Sequence, residues 1–178
     1  DRFKIINDTL NHENGDLLLK KAAGRLSNAD DKRVTDFSVY RLGGDEFTFI
    51  LSSVTKDETT IFVKRILNIF KKSFTLGDHE LFVTSSLGIS MYPTDGDHPD
   101  VLIKNADIAM YSTKESGRNS YSFFTQEMNE DYQKKMVLEK ALRKALHSNE
   151  LKMVYQPKID IETNRIIGME ALVRWESS

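Results

Sequence analysis

The chain has 178 residues, enough for one well-cored domain and an appendage, and its 39% hydrophobic and 29% charged content is that of an ordinary globular protein. A net charge of −2, with both signs interspersed, argues against a dedicated nucleic-acid surface, which would be basic. There is no cysteine, so disulfides and thiolate metal sites are excluded and a reducing cytoplasm fits. No apolar run reaches the length of a membrane span, and no basic segment followed by an apolar core opens the chain. The first residue is Asp1 rather than Met, so the expectation is a piece of a longer polypeptide, with any membrane contact made through other segments.

In chain order, Asn7 to Asp16 reads as polar and turn-like, and Leu17, Leu18, Ala22 and Leu26 then recur at helical spacing. Phe37 to Leu42 reads as a strand, Gly43-Gly44 as a tight turn, and Phe47, Phe49 and Leu51 as the alternating face of a second strand. Phe62, Ile66, Ile69 and Phe70 form the apolar stripe of a helix whose Lys64, Arg65, Lys71 and Lys72 lie mostly on the solvated side. Phe74 to Pro93 reads as two strands about a turn at Gly77-Asp78. A helix follows from about Pro99, suited to a first turn, to Ser116, with Gly117 as its stop. Tyr121 to Phe124 is a short strand, and Thr125 to His147 a long amphipathic helix with Leu138, Leu142, Ala145 and Leu146 on one face. The chain ends in two β-rich stretches, Leu151 to Ile161 and Ile166 to Trp175, about a turn at Glu162 to Asn164. This order gives an α/β (α+β) arrangement, a mostly antiparallel central sheet covered by helices.

The segment that carries chemistry is Arg41-Leu42-Gly43-Gly44-Asp45-Glu46-Phe47. Paired glycines let a backbone bend sharply and come close to a ligand. Adjacent carboxylates at a hairpin tip suit a hard divalent cation, which takes oxygen ligands and keeps phosphate and water besides. Alone, the heptad is equally an ordinary solvated turn. Further blocks stand with it: Asp1 to Asp8 with His12, Gly15 and Asp16; Thr84-Ser85-Ser86-Leu87-Gly88-Ile89; and Asn105-Ala106-Asp107-Ile108-Ala109-Met110-Tyr111 with Lys114, Gly117, Arg118 and Asn119. Singly each has a plain structural explanation. Asn7 is a turn residue, Lys114 a cation favoured by a helix carboxyl end, Arg118 a surface charge. His12 reads as structural, and Phe123 and Phe124 as core rather than a stacking platform.

As a spaced set, these blocks closely resemble the GGDEF family of diguanylate cyclases, over roughly residues 1–125. The resemblance implies a palm-like, ferredoxin-like domain in which two domains meet head to tail, each holding one GTP. The 3′-hydroxyl of each GTP attacks the α-phosphate of the other, giving cyclic di-GMP and pyrophosphate with Mg²⁺ (or Mn²⁺). Carried over by position, Asp45 is a metal ligand, and Glu46 assists the metal or the deprotonation. Asn7 and Asp16 hydrogen-bond the guanine edge. Lys114 and Arg118 reach the terminal phosphates, and Lys4, with the turn backbone at Gly43 and Gly44, helps to cradle phosphate.

Three departures qualify the resemblance. The family opens with Asp-x-Asp-x-Phe-Lys, and this chain starts at the second Asp, Asp1; the first, a principal metal ligand, and the strand before it are not in the sequence. The expectation is a GGDEF domain lacking its first strand, with little or no cyclase activity if this chain stood alone. Asn11 stands where the family usually has Gly, and Asn tolerates left-handed backbone better than most residues. Arg33-Val34-Thr35-Asp36 has the Arg-x-x-Asp pattern of an inhibitory product site, but one residue too far upstream, with Phe37 at the expected Asp position. No product inhibition is expected through it.

After a connecting helix at 126–149, residues 150–178 carry Tyr155-Gln156-Pro157 and Glu170-Ala171-Leu172-Val173-Arg174-Trp175. These resemble the opening of an EAL phosphodiesterase domain, with Glu170 implied as a metal ligand and Gln156 and Arg174 as dinucleotide contacts. About two strands of a much larger barrel are present, and a barrel without most of its strands cannot close, so no phosphodiesterase chemistry is expected of this segment. Three functions compete: a homodimeric cyclase acting on GTP; a GTP-binding module that regulates the adjoining EAL domain; and a scaffold without nucleotide chemistry, which would have little use for the spaced set. The tandem motivates the second, and the intact Asp45-Glu46 pair argues for the first.

Overall fold

The computed structural model describes residue 1, residues 3–29 and residues 36–176. The chain divides into two units, Asp1–Met128 and the segment from Asn129 onward. Arg33, Val34 and Thr35 of the Arg-x-x-Asp pattern lie outside the described residues.

The first unit opens with α1 (Phe3–Leu10) and α2 (His12–Ser27). The turn expected from Asn7 to Asp16 is therefore helix on both sides of a one-residue break. Phe3, Ile6 and Leu10 recur at helical spacing, and Phe3 and Ile6 pack on the core; the polar residues between them hide that stripe. The break is Asn11, with φ 81°, a conformation most side chains avoid. Its amide oxygen accepts from the Asn14 backbone N–H at 3.0 Å and so caps α2.

Strands β1 (Phe37–Gly43) and β2 (Glu46–Leu51) form an antiparallel hairpin, paired from Phe37 with Leu51 to Arg41 with Phe47. Helix α3 (Lys56–Phe70) starts with a capping box: Thr55 Oγ1 accepts from the Glu58 N–H at 3.3 Å, and Glu58 Oε2 accepts from the Thr55 N–H at 2.8 Å. Thr55→Ala is expected to lower stability by about 1 kcal/mol with turnover unchanged, as chemical denaturation would measure.

Residues 74–93 hold three short strands where two were expected: β3 (Phe74–Leu76), β4 (His79–Leu81) and β5 (Leu87–Ile89). β3 and β4 form a hairpin about Gly77, and β5 pairs in parallel with β6 (Tyr121–Phe123) across α4 (Pro99–Glu115). Gly88 brings β5 against α4, since a Cβ there would lie 1.9 Å from the Ala106 carbonyl oxygen. The buried Thr113 hydroxyl ties α4 to both strands, at 3.2 Å from the Leu87 carbonyl and 2.9 Å from the Ser122 hydroxyl.

Two apolar clusters form the core. Leu26, Ala29, Phe62 and Ile66 gather Phe37, Phe47, Phe49 and Leu51 from the hairpin. Leu18, Ala22, Phe74 and Leu76 gather Phe3, Ile6 and Val83. Arg25 lies between them: its guanidinium stacks 3.6 Å from the Phe74 ring centre and donates to the Ile69 carbonyl in the last turn of α3 and to the Lys72 and Ser73 carbonyls just beyond it. The expected antiparallel pairing holds for β1–β2 and β3–β4, but the described strands form two-stranded pieces rather than one continuous sheet. A cleft of about 970 Å³, walled by residues of both β2 and β5, lies between two of those pieces.

Helix α5 (Gln126–His147) leads into the second unit, where β7 (Leu151–Ile159) and β8 (Ile166–Trp175) pair antiparallel. β7 ends two residues earlier than expected, because Asp160 Oδ1 accepts from the Glu162 and Thr163 N–H groups and starts the turn. The Trp175 indole N–H donates to Glu150 at 3.0 Å; that bond and the Ser148 hydroxyl hold the Glu150 carboxyl below its ordinary range. Met153, Tyr155, Ile167, Met169 and Val173 of this hairpin are exposed.

Candidate active site

The Gly43-Gly44 turn is closed from one side. Arg41 Nε and Nη2 both donate to the Gly44 carbonyl, at 3.0 and 2.8 Å, while Gly44 takes φ 51°. Asp45 follows in the turn and Glu46 opens β2; both side chains are exposed. The hairpin thus presents two adjacent carboxylates held by a backbone they do not themselves stabilise.

Asp1 stands opposite. Its backbone nitrogen donates to the Thr84 carbonyl at 2.8 Å. Its carboxylate accepts from Thr84 Oγ1 at 3.0 Å and from Ser86 Oγ at 2.9 Å, and the Asn119 N–H lies 3.5 Å away. Lys114 lies half-buried in the last turn of α4, and Arg118 follows it with φ 64°. Asp1, Asp45, Glu46 and Lys114 line the cleft together with Thr84, Ser85 and Ser86.

No individual role for Asp1, Thr84, Ser85 or Ser86 was legible in the sequence. The signal for them was present, since a Thr-Ser-Ser run supplies hydroxyl donors and Asp1 an acceptor, but only the fold pairs residues more than eighty positions apart.

The other candidates form a second group, at the elbow between α1 and α2. Asn7 is half-buried on α1, and Asp16 is exposed on α2 beside Gly15, whose bare Cα abuts the Asn7 amide. Lys4 is exposed on α1. In the second unit Glu170 is exposed on β8 and pairs across the ladder with Gln156 of β7; Arg174 pairs with Lys152.

Among the described residues no group of three or more His, Cys, Asp or Glu side chains forms a self-sufficient metal cage. Mg²⁺ usually takes one or two carboxylates along with substrate phosphate and water. Asp45 and Glu46 are donors of that kind, with Lys114 along the same cleft to meet phosphate, so the donor set fits a cation that arrives with its phosphate.

The family model described as diguanylate cyclase, GGDEF domain, matches residues 1–120. The chain belongs to the GGDEF family. The EAL domain model matches residues 139–178, so this GGDEF domain is followed by the start of an EAL domain. The bifunctional diguanylate cyclase/cyclic di-GMP phosphodiesterase MucR of Pseudomonas aeruginosa is 38% identical over 176 residues, which cover 99% of this chain and 25% of MucR. The cyclic di-GMP phosphodiesterase PdeR of Escherichia coli is 36% identical over 99% of this chain and 26% of its own length. The GGDEF segment thus sits in a sequence that spans about a quarter of the curated relatives it matches. Among solved structures, the GGDEF domain of YfiN from Pseudomonas aeruginosa superposes with a TM-score of 0.68 at 31% identity, covering 75% of this chain and 77% of that one. An EAL/GGDEF domain protein from M. capsulatus gives 0.64 at 36%, covering 70% and 79%. Among the described residues of this GGDEF chain, no helix is long and apolar enough to cross a membrane.

Proposed function

We propose that this GGDEF domain is a diguanylate cyclase that condenses two GTP into cyclic di-GMP within a GGDEF–EAL signalling protein of the cytoplasm, where GTP is supplied. The observation that carries the reading is that Asp1, Asp45, Glu46 and Lys114, contributed by three segments far apart in sequence, line one cleft, with the loop after α4 brought to Asp1 at Asn119.

In this reading Asn7 and Asp16 hydrogen-bond the guanine edge, an amide and a carboxylate matching its acceptors and donors. Lys114, Arg118 and Lys4 hold the triphosphate, and the open backbone at Gly43 and Gly44 lets it approach the hairpin. Asp1 keeps the Thr84–Ser86 segment in register with the Arg118 loop through its hydroxyl and amide bonds. A 3′-oxygen from the GTP of a second, head-to-tail domain forms a bond to the α-phosphorus, the bond from that phosphorus to the bridging oxygen breaks, and pyrophosphate leaves. Glu46 accepts the hydroxyl proton. Bound through Asp45, with Glu46 beside it, Mg²⁺ or Mn²⁺ would supply charge neutralisation at the phosphate and a more acidic hydroxyl. Glu170 would serve a second metal site belonging to the EAL domain.

A second reading is favoured by the naming of relatives such as PdeR as phosphodiesterases. In it the domain binds GTP without cyclising it and adjusts the rate of the adjoining EAL domain. Magnesium-dependent GTP turnover by the intact polypeptide, followed by chromatography, separates the two. The expected result is cyclic di-GMP with two pyrophosphates per product. GTP binding without product, together with an altered phosphodiesterase rate, would replace the first reading by the second, and no effect of GTP at all would sink both.

A further inference from the structure

Gly15 lies within α2 and is buried, and its φ is not positive, so backbone freedom does not explain it. In a helix interior glycine is disfavoured relative to alanine. The space beside it does explain it. A Cβ at this position would stand 1.9 Å from the Asn7 side-chain oxygen and 3.1 Å from both Asn7 Cγ and Phe3 Cζ. That oxygen is buried and accepts no hydrogen bond among the described residues. The Asn7 amide is therefore seated edge-in against a bare Cα, held by shape rather than by a polar partner. The obstructing atom is the tip of a side chain and not backbone, so an added methyl would turn the amide and leave the helices in place.

We propose that Gly15 is the positioning residue of the base site: by lacking a side chain it sets the orientation of the Asn7 amide and so the affinity for guanine. This rests on the base-binding role given to Asn7 above. Asp16, the next residue, is carried by the same turn of α2, so one short segment supplies one base contact directly and shapes the seat of the other.

The test is a double-mutant cycle in the intact polypeptide with Gly15→Ala, Asn7→Ala and the pair, reading calorimetric affinity for GTP and for inorganic triphosphate, together with Tm. Gly15→Ala is expected to weaken GTP roughly ten-fold. Triphosphate, held by the cations alone, should bind as in the parent, and Tm should be equal or higher. The double variant should be no weaker for GTP than Asn7→Ala alone. Losses that add in the double variant, or an equal loss of triphosphate affinity, would overturn the proposal. So would parent-like GTP binding by Gly15→Ala while Asn7→Ala binds poorly. Unchanged GTP affinity in Asn7→Ala would instead remove the base-site reading on which the proposal stands, and the proposal with it. Should Gly15→Ala fail to fold, recovery of Tm by the added Asn7→Ala supports the contact, and no recovery refutes it.

Discussion

Asp45→Ala is expected to lower cyclic di-GMP synthesis by the intact polypeptide by about 10²–10³-fold or more, with GTP still bound and Tm unchanged. The separation of effects follows from how the turn is built. Gly44 and the Arg41 guanidinium fix the backbone, and the Asp45 side chain is exposed and spends nothing on holding it. Removing the carboxylate therefore leaves the hairpin standing and would strip a ligand from the cation proposed to neutralise the phosphate. Asp45→Asn should lose nearly as much, since an amide keeps the shape and loses the charge. Glu46→Ala should also abolish product, through the proton rather than the fold. Turnover within a few-fold of the parent in Asp45→Ala would dismiss the metal assignment, and a large fall in Tm would recast the residue as structural.

Phe62→Ala is expected to cost about 3–5 kcal/mol of stability, a fall in Tm of roughly 10–20 °C. Phe62 is 1% exposed, and its ring centre lies 5.1 Å from that of Phe37 and 5.6 Å from that of Phe49. It is the contact by which α3 supports the β1–β2 hairpin, so truncation leaves a cavity beneath the strands that present Asp45 and Glu46. Ile50, exposed on the opposite face of β2, is the control; its truncation should fall within about 0.5 kcal/mol. Thermal unfolding of the two variants side by side measures both. Equal losses would show that the hairpin is not held from the Phe62 side.

The order of elements was legible because apolar spacing betrayed it. The stripe of Phe62, Ile66, Ile69 and Phe70 marked α3, and alternation through Phe47, Phe49 and Leu51 marked β2. α1 escaped because Asn7, Asp8 and Thr9 sit among its apolar positions and favour turns in isolation. Packing of Phe3 and Ile6 on the core overrides that preference. β5 escaped for the opposite reason: Leu87-Gly88-Ile89 is too short to show a period, and it is a strand because Gly88 fits against α4 and β6 pairs with it. For the candidate site, sequence motifs singled out Asp45, Glu46, Lys114 and Arg118 as candidates. The donors of Thr84 and Ser86 and the acceptor of Asp1 stood in the sequence, but their partnership did not, because a hydrogen bond across the fold has no local pattern.

Arg118 and Asn119 both occupy left-handed backbone, at φ 64° and 50°, directly after the glycine that ends α4. For an arginine that conformation costs roughly 1–2 kcal/mol against a glycine in the same place. If the side chain meets phosphate as proposed, stability and activity pull this position in opposite directions. A selection for heat resistance alone would drift toward glycine at 118 and discard a phosphate clamp without disturbing a single core contact. Thermostable variants of this domain are thus best chosen with turnover measured alongside, because the loop that would be easiest to relax is the one that the proposed phosphate contact would keep under tension.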